Sequence, residues 1–340
     1  MKLVSYLSPS GEERVGLCID GKTIDLAQSA ATIGLKAPST MAAFLNAGAS
    51  TMKIARQVES AYLSKRITAT VHHGPLLSPV PHPTSCRDGY AFRQHVATAR
   101  RNRGAEMIPE FDQYPVFYFT NHNAVFGEGD VVVESDHLQK LDFELEAAIV
   151  IGKSGKNIPA AEADDYIAGF MVMNDLSARV LQMEEMLLSL GPAKGKDFAT
   201  TLGPWLVTPD ELESYRIATP GGSTYDLKMT AWHNGLQISD GNLKDMNWTF
   251  AELIERASYG VQLYPGDVIG SGTVGTGCYL ELNGSRALEA KARGESFTPV
   301  WLGIGDTIEL EITGLGRLKN KIARAPLEYS ILSKKKNVPR

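Results

Sequence analysis

The chain has 340 residues, 43% hydrophobic and 21% charged, with 32 glycines and 17 prolines, which excludes a disordered or collagen-like polymer and leaves room for two domains or one large domain with an extension. Thirty-nine acidic against 34 basic residues give a formal charge of -5, so there is no overall basic field to hold nucleic acid. Cys18, Cys86 and Cys278 lack the paired spacings of a zinc site or disulfide framework, and no run reaches the roughly 18 apolar residues of a membrane span, so the expectation is a soluble, cytoplasmic protein without membrane or nucleic-acid partners.

In chain order, Val4 to Leu7, Val15 to Ile19 and Thr23 to Leu26 read as short strands between Ser-Pro-Ser-Gly and Asp-Gly turns, and Met41 to Ser64 as helices. Residues 1–70 are therefore expected to form a small α/β cap. The prolines at 75, 79, 81 and 83 demand extended, non-helical chain, which makes residues 71–84 a linker. From residue 85 to about 330, strand-like runs dominate: Val116–Phe119, Phe143–Ile151, Phe170–Met173, Leu206–Thr208, Leu227–His233, Val268–Gly270, Tyr279–Leu282 and Thr307–Thr313. The clearest helix there is Ala178 to Leu190, stopped by Gly191-Pro192. Residues 331–340, with Lys334-Lys335-Lys336, read as a solvated basic tail.

Chemistry concentrates in three segments. In Leu141-Asp142-Phe143-Glu144-Leu145-Glu146, followed by Ala-Ala-Ile-Val-Ile, strand geometry puts Glu144 and Glu146 on one face and Phe143 and Leu145 on the other. An isolated Glu-x-Glu is ordinarily a charged outer strand; the apolar continuation argues for a buried one, where paired anions repel unless a cation or proton intervenes. Asp175 follows an apolar run, where a helix cap is the plain alternative; Arg179 and Gln182 share its helical face if a helix starts there. Arg87-Asp88-Gly89-Tyr90 precedes His95 by a spacing of two turns if helical, and neutral imidazole is the usual base near pH 7. Four acids suit a hard cation such as Mg²⁺.

Two glycine motifs are set aside. Gly270-Ser-Gly272-Thr-Val-Gly275 matches a dinucleotide fingerprint in letters, yet Cys278 to Leu282 reads as another strand where a helix is required, and Gly284 interrupts any long helix. Gly191-Pro-Ala-Lys-Gly195-Lys196-Asp197 is one residue short of a phosphate loop, with Asp where Ser or Thr should bind metal. Cys86 lacks an orienting partner and reads as structural.

Together these segments resemble the fumarylacetoacetate hydrolase family from about residue 80 to 325. The resemblance is carried by Arg87-Asp88-Gly-Tyr90 with His95, Tyr114-Pro115-Val-Phe-Tyr118, Asp142-Phe-Glu144-Leu-Glu146, Asn174-Asp175-Leu-Ser-Ala-Arg179 with Gln182, Gly195-Lys196-Asp-Phe198, Gly203-Pro204-Trp205, Gly270-Ser-Gly-Thr273 and Leu280-Glu281-Leu282. It implies an α+β, mainly β fold, a mixed β-sandwich roll with the N-terminal α/β cap, normally homodimeric. A divalent metal, Mg²⁺ first with Mn²⁺ or Ca²⁺ as alternatives, would sit on Asp88, Glu144, Glu146 and Asp175. In the fumarylacetoacetase-like branch His95 would be the base for water and Glu281 its orienting carboxylate, with Tyr90, Tyr118, Arg179, Gln182, Lys196 and Thr273 lining the substrate pocket. Where that enzyme holds a distal carboxylate with arginine, this chain has Gly104 by simple counting, beside Arg100, Arg101 and Arg103.

The implied reaction is hydrolysis of a carbon–carbon bond in a 1,3-dicarbonyl acid, an acylpyruvate or a fumarylacetoacetate-like compound, with Lys196, Gln182 or Arg179 stabilising the oxyanion. The alternatives are a 2-oxo acid hydratase, decarboxylase or isomerase using the same metal and enolate, since fold does not fix chemistry, and a non-catalytic binding protein that has kept the fold.

Overall fold

The computed structural model describes residues 1–336. Its backbone is an eleven-stranded sheet running, edge to edge, through Val71–His72, Lys22–Asp25, Glu13–Ile19, Lys2–Leu7, Thr200–Val207, Ile167–Asp175, Leu145–Ile151, Val268–Gly270, Cys86–Gly89 and Phe117–Thr120, with Val125–Phe126 paired onto Thr200–Val207. A five-stranded sheet, Leu236–Asn242, Lys228–His233, Thr307–Ile312, Gly316–Arg324 and Gly129–Val133, packs beside it. The fold is the expected mixed α+β, mainly β sandwich roll.

Leu145–Ile151 is buried along its whole length because each face of its sheet meets a different core. Leu145, Ala147, Ile149 and Ile151 join Leu310, Ile312 and Leu318 of the smaller sheet. Ala148 and Val150 face the other way, toward Leu26, Phe44, Ala55 and Val58 of the N-terminal helices. A fully buried aliphatic side chain contributes about 1.5–3 kcal/mol, so this two-sided burial anchors the strand carrying Glu146 and fixes its register against a one-residue slip that would exchange the two faces.

The first 70 residues do not stand apart. Lys2–Leu7 pairs antiparallel with Thr200–Val207, and Met1 and Leu3 share a core with Met171 and Leu202. The change of sequence character at the prolines marks a crossover between parts of one sheet. A helix at Leu26–Thr32 went unforeseen; Asp25 caps it by accepting from the Gln28 backbone N–H at 2.7 Å.

Several local expectations are corrected. Tyr279–Leu282 is the first turn of a helix, Tyr279–Ala292. Its apolar alternation is overridden because Asp142 accepts from the backbone N–H groups of Tyr279 at 2.7 Å and Leu280 at 2.9 Å, a cap delivered from far away in sequence. Strand followed by helix is thus the order after Gly270, and the reason for rejecting a dinucleotide loop changes: Gly272 has φ of +77° and a Cβ there would lie 2.6 Å from the Gly89 carbonyl oxygen, so this glycine serves packing and leaves no phosphate cradle. In the loop before Lys196, the Glu185 carboxylate accepts from the N–H groups of Ala193 at 2.8 Å, Lys194 at 2.7 Å and Gly195 at 3.1 Å, taking the place a phosphate would need.

The helix after Asp175 is shorter than expected, Arg179–Met186. Within the basic tail, Leu332–Lys334 forms a turn fastened to Asp136 by the Leu332 N–H at 3.0 Å, and residues 337–340 lie outside the described residues. No described helix is long and apolar enough to cross a membrane.

Candidate active site

Three strand ends and one short approach converge on a single point. Asp88 is the penultimate residue of Cys86–Gly89, Asp175 the last of Ile167–Asp175, Glu146 the second of Leu145–Ile151, and Glu144 immediately precedes that strand. Each is buried, and one carboxylate oxygen from each falls within 4.8 Å of the others. The alternation seen in sequence is what turns Glu144 and Glu146 to the same side. Asp88 and His95 do not share a helix, contrary to the two-turn spacing, since His95 belongs to the separate helix Arg93–Arg101. Asp175 does not cap a helix either: its Oδ2 accepts from the Tyr118 hydroxyl at 2.5 Å and from Lys196 Nζ at 2.6 Å.

Four acids this close cannot all carry charge unaided. Burial pushes the Asp88 carboxyl up to about 7, with the Asp175 charge adding to it, and burial together with Asp88 lifts Glu146 well above the ordinary carboxylate range. Burial also raises Asp175, against the pull of Lys196. Glu144 is the exception: burial pushes it up, but Lys196 and then Arg179 outweigh that and hold it at about 2. The same two carboxylates, Asp175 and Glu144, overcome desolvation to raise Lys196, so its ammonium is a fixed charge.

Gly272 N–H donates to both Asp88 Oδ1 and Glu146 Oε2 at 3.1 Å, and Thr273 Oγ1 donates to Glu146 Oε1 at 3.4 Å. Asp175 Oδ1 is buried with no hydrogen-bond partner. An orphaned anionic oxygen, in an all-oxygen set with more carboxylates than the neighbouring Lys196 and Arg179 can neutralise, is the coordination chemistry of a hard divalent cation. The residues present fit such an ion.

Across the same space stands a second constellation. His95 Nδ1 is 2.8 Å from Glu281 Oε2, and the other Glu281 oxygen accepts from Thr276 N–H at 3.0 Å. Asn102 Nδ2 donates to the Glu281 carbonyl at 2.9 Å, pinning the helix that presents it. Both side chains are buried. A carboxylate on one ring nitrogen fixes the tautomer and leaves the other nitrogen to act on a ligand.

Between the two groups lies a cavity of about 410 Å³ lined by His95, Asp88, Glu144, Tyr90, Tyr118, Arg179, Gln182, Lys196 and Thr273, in the range of roughly 300–1,000 Å³ typical of small-molecule sites. All the expected polar residues thus meet in one place, with Glu146, Asp175 and Glu281 just behind the wall. Arg103 also lines the cavity, whereas Arg100 donates to the Glu106 carbonyl and Arg101 turns toward Ser285. The remaining wall is apolar: Val116, Phe117, Met183, Met186 and Leu280.

Sequence reasoning missed Asp142 as a candidate positioning residue. Fully buried, it accepts from Arg179 Nε at 2.8 Å, while Arg179 also donates to Glu144 Oε1 at 2.7 Å and Gln182 Oε1 at 2.9 Å. The available signal was a third acid in phase with Glu144 and Glu146. Cys86, as expected, is buried in the core.

Residues 84–323 match the family described as "Fumarylacetoacetate (FAA) hydrolase C-terminal". The "Oxaloacetate tautomerase Fahd2a, mitochondrial" of Rattus norvegicus is 32% identical over 333 residues, covering 95% of this chain and 91% of that protein. The "Oxaloacetate tautomerase YisK" of Bacillus subtilis is 31% identical, covering 73% and 72%. Among solved structures, the maleylpyruvate hydrolase from Sphingobium sp. SYK-6 superposes with a TM-score of 0.65 at 20% identity, over 96% of this chain and all (100%) of that one, a likeness of fold. The chain belongs to the fumarylacetoacetate hydrolase family.

Proposed function

We propose that this protein hydrolyses a carbon–carbon bond in a 1,3-dicarbonyl acid of the acylpyruvate or fumarylacetoacetate-like class. The observation that carries this reading is the His95–Glu281 pair, 2.8 Å apart, facing the acid cluster across a cavity with fixed cations in its wall. Asp88, Glu144, Glu146 and Asp175 would hold a divalent cation, Mg²⁺ in this reading, whose Lewis acidity makes an enolate a tolerable leaving group.

The protein's own groups supply the rest. Glu281 orients His95 and stabilises the imidazolium that forms when His95 takes a proton from water. The hydroxide adds to the acyl carbonyl carbon, and Lys196, Arg179 and the amide of Gln182 offer positive charge and N–H groups to the resulting oxyanion. Because Gln182 Oε1 accepts from Arg179, its NH₂ is the end available to substrate. The carbon–carbon bond then breaks with its electron pair passing to the enolate, and the proton held by His95 returns to that carbon. Arg103, in the cavity wall, suits a distal carboxylate.

A second reading keeps the site and changes the reaction: keto–enol isomerisation of a 2-oxo diacid, with His95 moving a carbon-bound proton. It is favoured by the names of the relatives from R. norvegicus and B. subtilis. Incubation with an acylpyruvate and, separately, with oxaloacetate, in Mg²⁺ or Mn²⁺, discriminates them by product analysis. Two acid fragments from the acylpyruvate support hydrolysis. Accelerated decay of enol absorbance with no fragments from any 1,3-dicarbonyl acid would replace the first reading by the second. The same proposal takes the working form as a homodimer, supported by the exposed Leu187, Leu188 and Leu190 after helix Arg179–Met186, and sedimentation velocity tests it.

A further inference from the structure

Cys278 plays no part in the proposed chemistry, yet its sulfur is gathered with His95 and Glu281: one ligand atom from each lies within 4.8 Å of the other two, and all three residues are buried. We propose that His95, Cys278 and Glu281 form a second metal site, selective for zinc or another soft divalent ion, whose occupancy switches off the base.

The donor set separates this site from its neighbour. Asp88, Glu144, Glu146 and Asp175 offer only oxygen, the preference of Mg²⁺. One imidazole, one thiolate and one carboxylate are the ligand types of tetrahedral Zn²⁺, and three protein ligands leave a fourth position for water or a substrate oxygen. The arrangement is also well supported. Cys278 and Glu281 sit three residues apart at the start of helix Tyr279–Ala292, whose first N–H groups are occupied by Asp142. Asn102 and Thr276 fasten the residue that carries the carboxylate. His95 lines the cavity, which gives an ion its way in from solvent.

The thiol proton must leave when zinc binds, passing to the buffer as the Zn–S bond forms. Burial, then Asp142, keeps the Cys278 thiol protonated, with Glu144 and Glu281 adding to it and Arg179 opposing. The negative field that disfavours a thiolate attracts a dication, so the ion and the deprotonation arrive together. No zinc spacing is visible in the sequence because the histidine comes from a helix far upstream of the other two ligands.

Binding and inhibition are tested separately. With Mg²⁺ saturating, Co²⁺ is titrated into the intact protein as a spectroscopic stand-in for zinc. A thiolate-to-cobalt charge-transfer band with tetrahedral d–d absorption is expected in the wild type and absent in Cys278→Ser and Cys278→Ala, two small changes chosen so that at least one keeps the fold. Zinc is expected to inhibit wild-type turnover, with the half-inhibiting concentration rising about tenfold or more in either variant as a soft ligand is lost, while turnover without zinc stays near the wild-type value. Absence of the band, or inhibition that is equal in the variants and relieved by excess Mg²⁺, overturns the proposal and puts the zinc on the four acids. The inhibitory half rests on His95 being the base: a cobalt band without loss of turnover upholds the metal site and overturns that role instead.

Discussion

Asp142 grips Arg179: one carboxylate oxygen accepts from Arg179 Nε at 2.8 Å and from Leu280 N–H at 2.9 Å, and the other accepts from Tyr279 N–H at 2.7 Å. One buried side chain therefore sets the guanidinium that reaches Glu144 and Gln182 and also starts the helix that presents Glu281 to His95. The two halves of the candidate active site are coupled through it.

Substituting Asp142→Asn leaves Arg179 without its full counter-charge and sets an amide NH₂ against donors. Removing one partner of a buried ion pair costs about 3–5 kcal/mol, so thermal unfolding should shift sharply downward and turnover should fall with it. A variant with unchanged melting temperature and turnover would remove Asp142 from this role.

His95→Ala and Glu281→Gln should lower kcat, the first by about 10²–10⁴ as a general base is lost, the second less. Both should bind Mg²⁺ with the wild-type affinity by calorimetry, because neither side chain belongs to the acid cluster. Loss of the metal along with activity would contradict the division of labour.

Metal affinity should depend on pH with a definite sign. Asp88 titrates at about 7 in the fold and at about 3.9 in an unfolded chain. Between those values the unfolded state binds fewer protons, so the metal-free protein loses stability as pH rises from about 4 to about 7, and the contribution is fully present below that window. Glu146, also raised, acts in the same direction. Since the cation binds the deprotonated acids, the rise in melting temperature on adding Mg²⁺ to chelator-treated protein should grow over that interval. A gap that shrinks with rising pH would refute the assignment.

Arg103→Ala should raise KM for substrates with a carboxylate remote from the 1,3-dicarbonyl group, leaving kcat near its starting value. A single lost charge-assisted hydrogen bond is worth about 1.5–3 kcal/mol, or roughly ten- to a hundredfold in KM. Equal effects on substrates lacking that carboxylate would place Arg103 elsewhere.

Much of the site was legible because its chemistry is written in local periodicity and residue type. Glu144 and Glu146 share a face in any strand, and the apolar run after them required burial. The apolar run before Asp175 likewise read as a strand, and the structure shows it buried with the acid at its end. The Tyr279–Leu282 segment misled for the same reason: its alternation is real, and the cap that makes it a helix comes from Asp142, 137 positions away.

The amino-acid order by itself determined which side chains could take part, the acids, the imidazole and the cations, because strand alternation and donor chemistry are local properties. The tertiary structure alone decided which of three neighbouring arginines faces the cavity, that residues 1–70 extend the main sheet, and that Cys278 stands beside His95 and Glu281. Those outcomes depend on where distant segments pack against one another, and the energy that positions them is spread over a core that no short window of sequence contains.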